Sequence, residues 1–395
     1  MSVIEWYADR EVLLTGVTST LGRSLLEKIL RSCPDIKVHA VLRSRHHYNK
    51  DDRIKRIFAS PGFERLRQKY PDAISRVRAL EGNLLYEGLG LSKEDRASLK
   101  KVSVAFHAAG PHDDVFDFCQ ELPELKVLAA ASSVFRYRGQ LTEALQNEQV
   151  PEIPLALVRF PILSPALVEP MPGFVEVLNG VTALMVGAGL ALGHPENPAE
   201  LLPVDLAANA LIVTAWDRGT REKTDAPLVY NAPRLECTWG ELIEKGHRAN
   251  RKFAYPTFGV RGITSMAMLH WMAVLLLEWL PSVLCDMILN LGGGKQRILA
   301  EHVKVRTALR SLEPFLSKSL SVSRNRLERL RQRLGPEDRE AFPMFPDIDI
   351  EAYVLCAAAS TRKYCVDEKG RNLVRNFKRV FAVFLLVAVL FYFFF

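Results

Sequence analysis

The first residues able to do chemistry are Thr15, Gly16, Thr18, Ser19, Leu21 and Gly22, which stand in the run TGVTSTLG starting at Thr15. They follow an apolar run, Glu11–Thr15, and lead into a helical pattern from Leu21 to Arg31. A glycine-bearing turn between strand and helix reverses the chain tightly and aims backbone N–H groups of the helix start outward, which suits a dinucleotide pyrophosphate. Gly16 serves the turn, and Gly22 the close packing of helix on strand. Arg43 ends a second strand candidate, Lys37–Leu42, at the place that reads the adenosine ribose. An acidic residue there would hold the 2′-hydroxyl of NAD, whereas an arginine accommodates a 2′-phosphate. The expected cofactor is therefore NADP(H), with Arg45 placed to share the task. Asn83, after a third strand-like stretch, can hydrogen-bond adenine. The small residues of His107-Ala108-Ala109-Gly110, Ala108 above all, let backbone approach the cofactor ribose.

Other reactive side chains read more simply as structure. His107 and His112 are lone histidines, Asp113-Asp114 is a polar turn, and Cys119 is a core thiol without a basic neighbour in sequence. The six cysteines are scattered singly with no CxxC pair, so neither a zinc site nor a disulfide framework is expected.

These residues need a scaffold, and the chain supplies its pattern. Further strand candidates at Val102–Phe106, Val127–Ala131 and Leu155–Arg159 alternate with helical stretches such as Ile54–Arg67. Alternation of this kind builds βαβ units and a Rossmann-type doubly wound parallel sheet, an α/β fold, expected over residues 1–240. Beyond Trp239 the chain turns helical, expected as a second domain over 241–370. Within it, Met266–Leu291 is apolar but interrupted by His270, Glu278, Pro281 and Asp286, which predicts a buried or interfacial helical pair rather than a span. Ile298 to Leu334 is basic and helical in pattern, and Phe342 to Ile350 reads as a loop.

The formal charge of +7 concentrates around Arg324–Arg333 and around Arg371, Arg375, Lys378 and Arg379. Such patches suit phosphates or an anionic membrane surface, and nothing points to nucleic acid. The second patch precedes sixteen uninterrupted apolar residues, Val380–Phe395. That segment is expected to be a C-terminal membrane tail over 380–395 that leaves the main body in the cytosol. Met1–Arg10 carries charges and no apolar core, so it does not read as a secretory signal.

With these residues in view, the sequence resembles the fatty acyl-CoA reductases, extended short-chain reductases with a male-sterility-type Rossmann domain and a helical C-terminal domain. The resemblance rests on Leu25–Leu30 running into Arg31-Ser32-Cys33-Pro34, on Asp52-Arg53-Ile54 and on Leu89-Gly90-Leu91-Ser92. It continues through Glu169–Phe174, Asn179-Gly180, Pro203–Leu206, Thr238–Glu241, Phe342–Tyr353 and the apolar end. It implies NADPH-dependent reduction of long-chain acyl-CoA to a fatty alcohol at a membrane of the endoplasmic reticulum or peroxisome. The glycine motif departs from the reductase pattern at its middle position, where Ser19 replaces glycine and is expected to crowd the pyrophosphate. Asn83 stands where related proteins usually carry aspartate.

The larger departure is catalytic. The resemblance implies a Tyr-x-x-x-Lys pair on a helix, one turn apart, with a serine or threonine on the preceding strand to steady the carbonyl. Ser132 and Ser133 match that serine step. The matching helix reads Phe135-Arg136-Tyr137-Arg138-Gly139-Gln140-Leu141-Thr142-Glu143, with Phe135 at the tyrosine position and Gly139 at the lysine position. Tyr137 is the only tyrosine between Tyr86 and Tyr230, and no lysine occurs between Lys126 and Lys223. An unperturbed tyrosine titrates near ~10, so without the lysine it is a poor proton donor at neutral pH. A deletion between about residues 107 and 140 explains this better than point changes. The expectation is a shortened member without the catalytic pair, alone, as a homodimer, or as a heterodimer with an active reductase.

Overall fold

The computed structural model describes residues 1–365 apart from 45–47, 110–112, 137–139, 146–151, 177–179, 186–188, 223–225, 253–260 and 292–297. Arg45, His112, Gly139 and the expected tail Val380–Phe395 lie outside the described residues. The chain forms two compact units, each assembled from separated segments: Met1–Met171 with Glu200–Leu235 and Leu320–Asp347, and Pro172–Ala199 with Glu236–Ser319 and the chain from Ile348.

The first unit is built on seven strands: β1 (Glu11–Thr15), β2 (Lys37–Leu42), β3 (Val77–Glu81), β4 (Val102–His107), β5 (Val127–Ser133), β6 (Leu155–Phe160) and β7 (Leu228–Asn231). They lie in the order β3-β2-β1-β4-β5-β6-β7, every neighbouring pair parallel. The doubly wound α/β sheet expected from the sequence is therefore present. Residues of β4 and β6 are buried at every position, as strands covered on both faces require. The order reverses between β1 and β4, and in open α/β sheets ligands bind outside the carboxyl ends of strands at such a point.

Four helices matter for the site: α1 (Thr20–Ser32), α2 (Lys50–Ala59), α3 (Asp113–Gln120) and α4 (Val204–Gly219). The amphipathic run read as one helix over Ile54–Arg67 is broken. α2 ends at Ala59 because Pro61 cannot continue it, and a 3-10 turn at Pro61–Phe63 leads to a separate helix, Glu64–Lys69. α4 is buried almost all round, and its Asp205 carboxylate accepts N–H bonds from Leu167, Val168 and Glu169 at 2.8, 2.8 and 3.0 Å. That carboxylate satisfies three backbone donors of a loop that has no ladder of its own.

The stretch after β5 corrects the sequence reading. Instead of a helix over Phe135–Glu143, the chain makes a 3-10 turn at Val134–Arg136 and then a two-residue strand, Gln140–Leu141, parallel to Ser321–Val322. The reason is tertiary. Arg159, fully buried in β6, donates to the carbonyls of Thr142 and Ala144 at 2.9 Å each, and Asn231 Nδ2 donates to Thr142 O at 3.2 Å. Carbonyls held by buried side chains are withdrawn from helix pairing, and tertiary partners of this kind outweigh local propensity.

The second unit is mainly helical: α5 (Trp239–Lys252), α6 (Ala267–Leu291), α7 (Ile298–Leu316) and α8 (Ile350–Cys365), with a parallel pair of three-residue strands, Leu190–Leu192 and Gly262–Thr264. Thr238 and Glu241 form a reciprocal capping box that starts α5. α6 is one continuous helix rather than the expected pair. It passes Pro281 because a π turn at Leu275–Trp279, closed by Leu280 N–H to Leu275 O, precedes the proline. Asp286 accepts from Ile298 N and Leu299 N at 2.8 and 3.1 Å, tying the end of α6 to the start of α7.

Candidate cofactor site

A cleft of about 250 Å³ opens at the carboxyl ends of β1 and β2, lined by Gly16, Thr18, Arg43, Arg53, Asn83 and Ala109 among others. The β1–α1 turn forms one wall. Gly16 has φ +77°, and a Cβ on it would stand 2.6 Å from the backbone nitrogen of Ala109, so only glycine serves. A Cβ on Gly22 would lie 2.2 Å from Gly16 O, which is the close helix-to-strand approach that the motif requires. Thr15 and Leu21 are buried behind this wall. Thr15 Oγ1 lies 2.7 Å from His107 Nδ1 and its carbonyl accepts from Ala108 N at 3.1 Å, fixing the ends of β1 and β4 side by side. His107 is thereby held as part of the scaffold.

Ser19 is not a loose intruder. It caps α1, its hydroxyl accepting from Gly22 N at 2.9 Å and donating to Ala108 O at 2.9 Å. The hydroxyl thus ties helix start to β4, and it takes up one of the helix-terminal N–H groups that an anion would otherwise use.

Arg43 is exposed at the cleft rim, and its carbonyl accepts from the guanidinium of Arg53 in α2. Two guanidinium groups therefore line the same cleft. The sequence reading named Arg43, with Arg45 to share its task, and Arg53 only as part of a motif. Asn83 Oδ1 accepts from Leu85 N at 3.3 Å, and Asn83 N donates to Leu89 O at 2.8 Å, so this side chain is partly occupied in shaping its own turn.

Of the residues singled out, Gly16, Thr18, Arg43 and Asn83 meet in the cleft. Thr15, Ser19, Leu21, Gly22 and Ala108 support it from behind. Ser132 and Ser133 lie apart from the lining at the end of β5, paired in register with Arg159 and Phe160 of β6. Ser133 Oγ accepts from Phe135 N at 3.2 Å, and the Phe135 ring occupies the 3-10 turn, half-buried. Cys119 is fully buried in α3, and burial pushes its thiol up to about 12, which keeps it an inert core group.

A dinucleotide fits these residues: a glycine-only turn, a helix start, two arginines lining the cleft, and small residues closing β4. The fold and this cleft define a dinucleotide-binding protein of the Rossmann class. Two family profiles, both described as male sterility protein, match in order, an NAD-binding one over residues 14–115 and a sterile-domain one over 277–368. These two matches, with relatives similar along nearly the whole chain, support the fatty acyl-CoA reductase family. It is 24% identical to fatty acyl-CoA reductase 1 of Rattus norvegicus over 486 residues, covering 98% of this chain and 93% of that one. It is 22% identical to fatty acyl-CoA reductase wat of Drosophila melanogaster, covering 95% and 87%. The rat alignment spans 486 positions against 98% of a 395-residue chain, so about 100 positions have no counterpart here. In fold, the chain is similar to the reductase domain of a non-ribosomal peptide synthetase from Mycobacterium tuberculosis, with TM-score 0.60 at 17% identity over 91% of this chain and 95% of that one.

Proposed function

We propose that this chain holds NADP(H) in the cleft at the ends of β1 and β2 but has lost most or all of the family reaction, the NADPH-dependent reduction of long-chain acyl-CoA to fatty alcohol. The bound nicotinamide supplies a hydride in that reaction. The Gly16–Thr18 turn and the start of α1 hold the pyrophosphate. Arg43 and Arg53 hold the 2′-phosphate, bidentate guanidinium contacts being the strong way to grip one. Asn83 meets the adenine, and Ser132 and Ser133 remain as donors for a substrate carbonyl.

One observation carries the loss of activity. Where a helix has to present tyrosine and lysine one turn apart, this chain has Phe135 in a 3-10 turn followed by an extended pair. No lysine follows until Lys223, so no ammonium stands on this stretch to lower a tyrosine pKa. The missing positions fall between about residues 107 and 140, at the substrate side of the sheet. Apolar Val380–Phe395 anchors the protein in the endoplasmic reticulum or peroxisome membrane, with its body in the cytosol. The same lost pair favours a second reading, a non-catalytic protein that dimerises with an active reductase on the membrane.

Nucleotide titration tests the first part. NADPH is expected to bind at least about tenfold more tightly than NADH, the usual gain from a charge-assisted phosphate grip. Binding of neither nucleotide overturns it. Co-purification with an active reductase separates the second reading from a solitary enzyme.

A further inference from the structure

α6 is built inside out. Every exposed residue from Ala267 to Met287 is apolar, including Met268, Leu269, Trp271, Met272, Leu276 and Leu280. Its polar residues instead face the protein: His270 and Glu278 are each 1% exposed and Ser282 is fully buried. A surface helix of a soluble protein shows the reverse, an apolar stripe inward and polar residues outward.

The buried face is fastened along its length. His270 Nε2 lies 3.1 Å from Leu190 O, and Glu278 Oε1 accepts from Leu190 N at 3.2 Å. Arg306 of α7 lies 3.0 Å from the Glu278 carboxylate and also donates to Leu190 O at 2.6 Å. Burial pushes the imidazole of His302, also in α7, down to about 4, so it is neutral at pH 7 beside this cluster. A helix of 21 residues, Ala267–Met287, is long and apolar enough to cross a membrane. Crossing would strip His270 and Glu278 from these partners into hydrocarbon, at high cost. The helix is therefore bound to its own unit on one side and bare on the other.

We propose that the bare face of α6 is a lipid-docking surface, sunk lengthwise into one leaflet of a phospholipid bilayer with anionic headgroups at its edge. Three observations select this occupant. At about 100° per residue, the exposed apolar positions spread over more than half the helix circumference, which a fluid solvent covers at once and a rigid protein face meets only along a stripe. Exposed Arg310 of α7 holds its guanidinium 5.6 Å from the ring centroid of Trp271, the tryptophan-and-cation pairing that suits the headgroup level. The exposed positions of α6 carry no acidic residue that anionic lipid would repel. This contact is additional to any tail and holds the helical unit flat on the surface.

The test uses the full chain reconstituted in vesicles whose acyl chains are brominated, a short-range quencher of tryptophan. Quenching is compared between wild type and Trp271→Phe, so the difference reports Trp271 alone, and retention of the chain by its C-terminal segment cannot mimic it. The expected result is quenching about twofold greater in wild type, larger in vesicles containing phosphatidylserine than in neutral ones, and reduced in Arg310→Glu and in Leu276→Glu/Leu280→Glu. Equal quenching of wild type and Trp271→Phe, both shown folded by circular dichroism, overturns the proposal. So does a Trp271 shielded without lipid in a concentration-dependent dimer, which would make a second copy the occupant.

Discussion

Ser19 carries the sharpest consequence at the scale of single residues. Its hydroxyl occupies Gly22 N–H and bridges to Ala108 O. Ser19→Gly returns that N–H to the nucleotide. The expected outcome is NADPH binding tighter by roughly three- to tenfold in titration calorimetry, with only a few tenths of a kcal/mol of helix-cap stability lost. Arg43→Ala and Arg53→Ala are each expected to weaken NADPH by about tenfold while leaving NADH nearly unchanged; equal losses for both nucleotides would place these arginines elsewhere than on the 2′-phosphate. Gly16, Gly22, Arg43 and Asn83 were legible in the sequence because each role follows from a position relative to one strand end. Arg53 was not, since it reaches Arg43 from the next helix, ten residues on, and only the folding of α2 against β3 brings it there.

At the scale of elements, the turn after β5 decides the chemistry. Phe135 and Gly139 were matched to the tyrosine and lysine positions from sequence alone, and the described residues around them form a 3-10 turn and a short strand rather than the expected helix. Buried donors on β6 and β7, invisible to local propensity, hold the carbonyls of Thr142 and Ala144. Phe135→Tyr with Gly139→Lys is expected to leave alcohol formation at background, because Phe135 lies in a 3-10 turn and not on the helix that has to present both side chains. Replacing the β5–β6 connection by that of an active relative is expected to restore turnover if only the site has decayed. The loop at Glu169 offers a test of stability. Its carboxylate meets Lys28 Nζ at 2.6 Å, Arg31 Nη2 at 2.9 Å and Arg65 Nη1 at 2.9 Å. Burial pushes this carboxyl up, but Lys28 and Arg31 together outweigh it and hold it below the ordinary 4.5. Because the folded pKa lies below the unfolded one, the stabilisation is present above the unfolded pKa and is lost as pH falls through the folded one. Glu169→Gln is expected to cost about 1–3 kcal/mol at pH 7 in urea unfolding, with the gap to wild type closing below pH 4.5.

Across the whole molecule, the parallel sheet and the helical second half were legible because strand-helix alternation and periodicity are local signals repeated many times. The interleaving of the two units was not, since it depends on which distant segments pack together. The inverted polarity of α6 was half legible: His270, Glu278, Pro281 and Asp286 argued against a clean span, but sequence cannot tell which face a polar residue takes. The proposed function, a protein that binds a reductant without using it, rests on a cleft with a glycine-only turn and two arginines and on Phe135 at the position matched to the acid. Fatty alcohol formation tests this most directly. The full chain in vesicles is given palmitoyl-CoA and NADPH beside an active reductase of the family as control. No alcohol above background, with NADPH binding measured in the same preparation, is the expected result. Alcohol above background would mean that another group supplies the proton and that the lost tyrosine and lysine did not end the chemistry.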